Sequence, residues 1–277
     1  MRVTVNNMDL AQIADSGQCF RWNRAGDGSY DIIAFGRYLN IKQDGNSFTL
    51  NCSEQEWGEI WSSYLDIGTD YEGIGSSIRQ SGDEYLNRAY ECGNGIRILR
   101  QELWETLISF IISQNNNIKR IKGSIEAICS KAALPVIASP STAGYRFPGP
   151  SDIDREFFND RELGLGYRDV YLADMYEYAV NNPGFPDDLK TMSNKEAFVK
   201  LKSFKGIGDK VANCVCLFGL HHIDAFPIDT HIKQILNTHY PEGFDFERYK
   251  GYAGIIQQYM FSYKLNDSDI SSRTGNR

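Results

Sequence analysis

The pair best placed for covalent chemistry is a lysine at the head of an apolar helix and an aspartate 19 residues later, Lys210 and Asp229. Lys210 lies in FKGIGDKVANC (204–214), two residues past a Gly-x-Gly turn. There a helix's own N-terminal partial positive charge opposes a cation. Asp229, in AFPIDTH, is placed to cap the helix THIKQIL, and capping alone accounts for it. An acidic cap facing a lysine at the start of another helix would also bring a nucleophile and a carboxylate into one cleft. The flanks of the turn have helical spacing: KEAFVKLKSF (195–204) before it, and DKVANCVCLFGL (209–220) after it, with Asp209 expected as N-cap. Helix, hairpin, helix is the reading over about 195–220, and the free N–H groups of the second helix suit an anion such as a DNA phosphate. A P-loop requires Ser or Thr after the lysine, where Val211 stands, and a Rossmann fingerprint requires a third glycine at the same place. A ligand-free helix–helix turn accounts for Gly206 and Gly208 equally well.

The elements that must hold these residues fall into three regions. Four segments between Cys19 and Cys52, CFRWNR, GSYDIIAFG, RYLNIKQ and SFTLNC, alternate and turn like antiparallel strands. From Ser53 helical periodicity takes over: Trp57, Ile60, Trp61, Tyr64 and Leu65 share a face, and ELWETLISFIISQ (102–114) is a strongly apolar helix. ASPSTAGYRFPGPSD (138–152) is the longest expected loop, and NDSDISSRTGNR a polar, frayed tail. The fold class is α+β, a small N-terminal antiparallel sheet domain followed by a mostly helical core. Expected units are 1–93 (sheet with flanking helices), 94–265 (helical core) and 266–277 (tail).

With 277 residues, 42% of them apolar, and no window approaching the ~18 apolar residues of a membrane span, the chain reads as a globular enzyme without membrane contact. Its N-terminus lacks a signal peptide's apolar core, which places it in the cytoplasm or nucleoid of a prokaryote or the nucleus of a eukaryote. Six cysteines form no CxxC or CxxxxC pair, so neither a zinc site nor an iron–sulfur cluster is expected. A net charge of −7 argues against a nucleic-acid partner unless basic residues cluster locally. They do so around the hairpin (Lys195, Lys200, Lys202, Lys205, Lys210), and Arg97, Arg100, Lys119, Arg120 and Lys122 form a second set.

LKSFKGIGDKVANC followed by AFPIDTHI resembles the helix-hairpin-helix DNA glycosylases, and specifically the 8-oxoguanine DNA glycosylase family. SGQCFRW (16–22), GIRILRQ (95–101), FIISQNNNIKRI (110–121), LGLGYRDVY (163–171) and YAGIIQQYMFS (252–262) resemble family segments in the family's order, over nearly the whole chain. The resemblance implies a bifunctional glycosylase and abasic-site lyase acting on 8-oxoguanine in double-stranded DNA, monomeric, without a catalytic cofactor. The one ion it implies is a structural monovalent cation at the hairpin. Lys210 would be the nucleophile at the sugar C1′. It attacks only as the free amine, which a helix N-terminus and partial burial favour. Asp229 would stabilise positive charge developing on the sugar.

The same resemblance assigns base recognition. Guanine gains a hydrogen on N7 when C8 is oxidised, so only an acceptor can read the change. Gly17 matches the position whose carbonyl accepts that hydrogen, although a lone glycine also suits a plain turn. Gln257 matches the residue bonding the Watson–Crick edge, and Phe261 and Cys214 the pair sandwiching the base, with Pro227 beside them; on pattern alone Phe261 and Cys214 read as core. For DNA, Asn115 and Arg120 would stand near the orphaned cytosine, Tyr167 and Arg168 would wedge and read beside them, and His231 would hold a phosphate. The NNNIKRIK run reads equally as a solvated turn, and His231 as an ordinary helix-start histidine.

Two positions depart from the family pattern. Asp209 stands where a small neutral residue is expected, and a carboxylate there favours the ammonium form of its neighbour and repels phosphate. Asn213 stands where an acidic residue is common. Among rival readings, a non-catalytic hairpin module has no need of Lys210 with Asp229, an iron–sulfur glycosylase needs a four-cysteine cluster, and alkylated-base glycosylases typically lack the lysine.

Overall fold

A computed structural model describes residues 1–136 and 144–266 in full, and the helical backbone of 267–274. Five antiparallel strands, β1 (Arg2–Thr4), β2 (Trp22–Arg24), β3 (Tyr30–Ala34), β4 (Arg37–Asp44) and β5 (Ser47–Leu50), lie in the order β1-β5-β4-β3-β2. Pairing Ile32 with Leu39 and Ile41 with Leu50 puts every second side chain on one face, where all four are buried. Helix α1 (Leu10–Asp15) covers that face with Leu10 and Ile13. Neither β1 nor α1 was expected. A three-residue strand is too short to show alternation, and α1 buries only two residues.

The segment after Ser53 begins at a capping box with Glu56 and runs as α2 (Glu54–Glu56), a π-turn (Trp57–Trp61) and α3 (Ser62–Tyr64). Trp61, Tyr64 and Leu65 are buried in the sheet's core with Trp57 and Ile60 packed beside them, so the expected face holds despite the wider π-turn.

Packing divides the chain earlier than the boundary expected near 93. Helices α4 (Tyr71–Gln80) and α5 (Glu84–Gly93) place Tyr71, Ile78, Leu86 and Tyr90 in the helical core, because their apolar faces meet the last helix rather than the sheet. At the centre lies α6 (Leu103–Ile112), buried at every position except Glu105, as a helix apolar all round must be. Around it pack α7 (Ile118–Ala132), α8 (Arg168–Asn181), α9 (Phe185–Thr191), α10 (Asn194–Lys202), α11 (Asp209–Phe218), α12 (Thr230–His239) and α13 (Ala253–Thr274). Of the loop expected over 138–152, residues 137–143 lie outside those described. The tail expected from 266 is helical to Thr274. Asn266 is tied to Cys92, and a helix already nucleated propagates without a further nucleation cost. Residues 275–277 lie outside those described. No helix among the described residues is long and apolar enough to cross a membrane.

Candidate active site

Helices α10 and α11 meet at a tight turn whose shape depends on Gly206. Its φ of +87° is left-handed, and a Cβ there would lie 2.5 Å from the Tyr171 ring, so a side chain would drive the hairpin off α8. The N-cap of α11 is Gly208, which supplies no side-chain cap, and Asp209, expected as the cap, is the first helical residue. An extended glycine there leaves the first-turn N–H groups unbonded by any side chain, as an anion site requires. Asp209 is 73% exposed and reaches back across the hairpin to Lys202, 2.5 Å away. Its charge is therefore shared with α10, which answers the departure noted at this position.

One turn into the structure, Lys210 is half-buried with its Nζ 5.1 Å from the centre of the Phe110 ring. Phe110 stacks on Phe218 and meets Phe20 edge-on, so the floor beneath the amine is a fixed aromatic layer. Asp229 approaches from α12. Its Oδ1 accepts from the Ile232 N–H at 2.8 Å, and this capping bond fixes where the rest of the carboxylate points. Cap and candidate catalyst are thus one geometry.

These two side chains line a narrow pocket of about 40 Å³ together with Gly17, Cys214, Pro227, Gln257, Phe261, Ser16, Gln258, Phe110 and Phe218. All seven residues expected to carry catalysis and base recognition therefore meet in one place, from four separate stretches of chain. Gly17 has φ +74° and comes close enough to Phe261 that a Cβ would sit 3.5 Å from the ring. Gln257 is buried and its Oε1 accepts from Gln258 Nε2 at 2.8 Å. Burial pushes the Cys214 thiol up to about 11, against the lowering pull of Lys210, so it stands in the wall as a neutral, apolar group. Pro227 is buried in the pocket wall.

The pocket opens through Lys210 and Asp229 into a groove lined by Asn115, Gly208 and His231. Asn115 takes a left-handed φ of 45° and its amide donates to the Tyr167 hydroxyl at 3.3 Å, which joins the two rim loops. Tyr167 is half-exposed, its ring over the Arg168 guanidinium. His231 is half-buried against Phe261, and its Nδ1 has no hydrogen-bond partner among the described residues. Arg120, in the first turn of α7, is exposed beside the rim.

Several basic residues differ from their expected roles. Arg168 is buried: it donates to the carbonyls of Gln114, Asn115 and Leu165, which ties it to the loop bearing Asn115. Arg97 donates to the Asp66 and Asn6 carbonyls, Arg100 pairs with Asp66, and Lys122 donates to the Trp22 carbonyl. Lys200 lies over the rings of Tyr178, Phe185 and Phe204. In each case the partner is a backbone or ring brought up by the tertiary fold. Sequence reasoning missed Phe110 and Phe218 as the pocket floor and Ser16 and Gln258 in its wall; their signal was only adjacency to motif residues.

Residues 1–107 match the family model for the N-terminal domain of 8-oxoguanine DNA glycosylase. The chain is 36% identical to the N-glycosylase/DNA lyase of Saccharomyces cerevisiae, over 87% of this chain and 70% of that one. It is 28% identical to the probable N-glycosylase/DNA lyase of Methanothermobacter thermautotrophicus, over 95% of both. Among solved structures, the Clostridium acetobutylicum 8-oxoguanine glycosylase/lyase, bound to double-stranded DNA with cytosine opposite 8-oxoguanine, superposes with a TM-score of 0.87. That pair is 32% identical over 97% of this chain and 98% of the other.

Proposed function

The chain belongs to the 8-oxoguanine DNA glycosylase family, and from that premise we propose that it excises 8-oxoguanine from duplex DNA, preferentially opposite cytosine, and then nicks the strand. The observation that carries the assignment is the convergence of Lys210 and Asp229 on one pocket whose other walls suit a flat purine: Phe261 and Cys214 as faces, Gln257 and Gly17 as polar edges.

The chemistry follows from those positions. The Lys210 amine attacks C1′, the bond from C1′ to N9 breaks, and the base leaves as an anion that takes up a proton. The amine loses a proton, the sugar ring opens, and an imine joins Nζ to C1′. The imine acidifies the C2′ hydrogen. Its loss expels the 3′ phosphate by β-elimination, and water then hydrolyses the imine to free the lysine. Asp229, held by its cap bond, faces the sugar and stabilises the positive charge that builds as the base departs. Nothing in these steps calls for a metal. The structural cation belongs to the same reading. The carbonyls of Lys205, Gly206 and Ile207 accept no backbone hydrogen bond among the described residues, and such hard oxygens suit a monovalent ion bracing the hairpin.

Incubation with duplexes carrying different lesions, with and without borohydride, tests the proposal. Borohydride traps a covalent adduct on the 8-oxoguanine duplex, and Lys210→Gln abolishes trapping while lesion binding persists. Asp229→Asn slows excision by about a hundredfold or more, yet leaves the melting temperature near the wild-type value because asparagine caps as well as aspartate. Trapping by the glutamine variant at the wild-type rate would refute the nucleophile assignment.

A further inference from the structure

Gln18 is nearly inaccessible, 1% exposed, and does not line the pocket, yet its side chain is among the most fully used polar groups in the molecule. Its Nε2 donates to Ser16 Oγ at 2.8 Å and to the Arg97 carbonyl at 2.9 Å, and its Oε1 accepts from the Leu99 N–H at 2.8 Å. Its own carbonyl accepts from Gln101 Nε2 at 2.7 Å. The strand of chain that receives these bonds is itself fastened from the far side. Tyr71 Oη accepts from the Ile98 N–H at 2.7 Å, and Arg97 Nη1 donates to the Asp66 carbonyl at 2.9 Å.

From this arrangement we infer that Gln18 is the positioning residue that aims the Gly17 carbonyl, and through it sets the discrimination between 8-oxoguanine and guanine. The inference rests on the proposed function. A peptide unit is planar, so the Gly17 carbonyl shares a rigid plane with the N–H and Cα of Gln18. Gly17 itself, at φ +74° and without a side chain, has no means of fixing that plane. Gln18 fixes it from one end through four hydrogen bonds. Ser16 fixes the other, its Oγ donating to the Ile13 carbonyl at 2.7 Å while accepting from Gln18. The two bases differ at N7 by one hydrogen, and a carbonyl distinguishes them only when its lone pair meets that hydrogen along the N–H direction. Burying an amide costs more than burying an apolar side chain of its size unless every bond is aimed, and here the aimed bonds all converge on the residues flanking one carbonyl.

The test separates reading the base from everything else the enzyme does, because β-elimination at a preformed abasic site involves no base. Gln18→Ala should slow single-turnover excision of 8-oxoguanine by about tenfold, the value of one misaimed hydrogen bond, and shrink the binding preference for 8-oxoguanine over guanine by a similar factor. Cleavage of a preformed abasic site should change by less than about twofold. Gln101→Leu, which removes only the bond to the Gln18 carbonyl and leaves the amide in place, should move the same two quantities in the same direction by a smaller factor, and guards against misfolding of the alanine variant. Parallel loss of excision and abasic-site cleavage, or an unchanged preference between the bases in both variants, would overturn the inference. Absence of 8-oxoguanine excision by the wild-type enzyme would instead refute the proposed function.

Discussion

At the junction of sheet and helical body, Arg97 and Arg100 spend their donors on Asp66 and on backbone carbonyls, whereas at the mouth of the pocket Lys119 and Arg120 stand in solvent without an ion pair among the described residues. The junction also holds Asp66, 1% exposed at its side chain and accepting from Tyr71 and Arg100. Burial alone would push its carboxyl up. His221 Nε2, 3.4 Å away, and the Tyr71 hydroxyl outweigh burial and hold it at about 2. Charges whose donors the fold engages, buried as Arg97 is or exposed as Arg100 is, fix the shape of the chain, and unengaged ones keep their capacity for a phosphate or a base. Within one family of motifs, the two sets of basic residues therefore do different work.

Arg168 puts the division to its hardest test, because the sequence places it with the exposed set and the fold with the buried one. Arg168→Ala should strand the carbonyls of Gln114 and Asn115 and cost about 2–4 kcal/mol of stability, readable as a lower melting temperature. Excision should fall on every pairing alike as the Asn115 loop loses its support. Arg120→Ala should leave stability within about 0.5 kcal/mol and reduce the preference for cytosine over adenine by about tenfold, mainly by raising activity on the wrong pairs. Single-turnover rates on four duplexes, one for each opposite base, measure both. If Arg168→Ala instead narrowed the cytosine preference without loss of stability, Arg168 would be a reader and the comparison would fail.

How much of this was legible beforehand follows the same division. Lys210 and Cys214, or Gln257 and Phe261, share a helix face by spacing, and Asp229 is marked as a cap, which are local rules that a sequence carries openly. That Gly17 joins them from the far end of the chain depends on how the sheet docks on α6, and no local pattern encodes it; only the family likeness of SGQCF pointed there. Charge sign was legible for every arginine, but its partner was not. The partners of Arg97 and Arg168 are carbonyls of Asp66, Asn6 and Gln114, and a carbonyl leaves no trace in composition. Asp209 was misplaced by one residue as a cap because Gly208, in extended conformation, fills that role without a side chain.

A smaller effect sharpens the buried half of the comparison. Glu105 on α6 lies 3.9 Å from Arg21 Nη1, a nitrogen with no hydrogen-bond partner among the described residues, so this carboxylate lacks the direct hydrogen bonds that Asp66 accepts from Tyr71 and Arg100. Burial pushes the Glu105 carboxyl from 4.5 up to about 7, against the opposing pull of Arg21. Between those values the folded protein holds a proton that the unfolded chain has released, so this group's contribution to stability falls as pH rises from 4.5 to about 7 and is constant above. Glu105→Gln should remove that fall, leaving the variant more stable than wild type near neutral pH by on the order of 1–2 kcal/mol. Asp66→Asn should act in the opposite sense. Its lowered carboxyl stabilises the fold above 3.8 and loses that contribution toward about 2, so the variant is the less stable one near neutrality. Melting curves across pH 2–8 read both slopes, and a stability curve for Glu105→Gln parallel to wild type would show Arg21 and Glu105 to be as complete a pair as any other.

The smallest expected effect lies at the hairpin, where an exposed cation is only half available. Lys202 and Asp209 are 41% and 73% exposed and 2.5 Å apart, at the end of α10 and the start of α11. An exposed pair of this kind contributes no more than about 1 kcal/mol, so it hardly matters to folding. For DNA it matters more, because a phosphate approaching the first turn of α11 seeks the same lysine and meets the carboxylate already there. Binding must part the pair or proceed with one fewer neutralised phosphate. Each phosphate contact adds about 0.9 to the slope of log affinity against log salt. Asp209→Asn should therefore steepen that slope by up to about one and tighten binding a few-fold at low salt, with lesion choice unchanged. Lys202→Glu should flatten it by a similar amount, again without altering which base is excised. The double variant carrying both changes should resemble Lys202→Glu alone, since the aspartate acts only through the lysine it occupies. An additive double variant would place Asp209 in direct repulsion of the phosphate rather than in competition for Lys202, and a wild-type slope near zero would remove the hairpin from the DNA interface altogether.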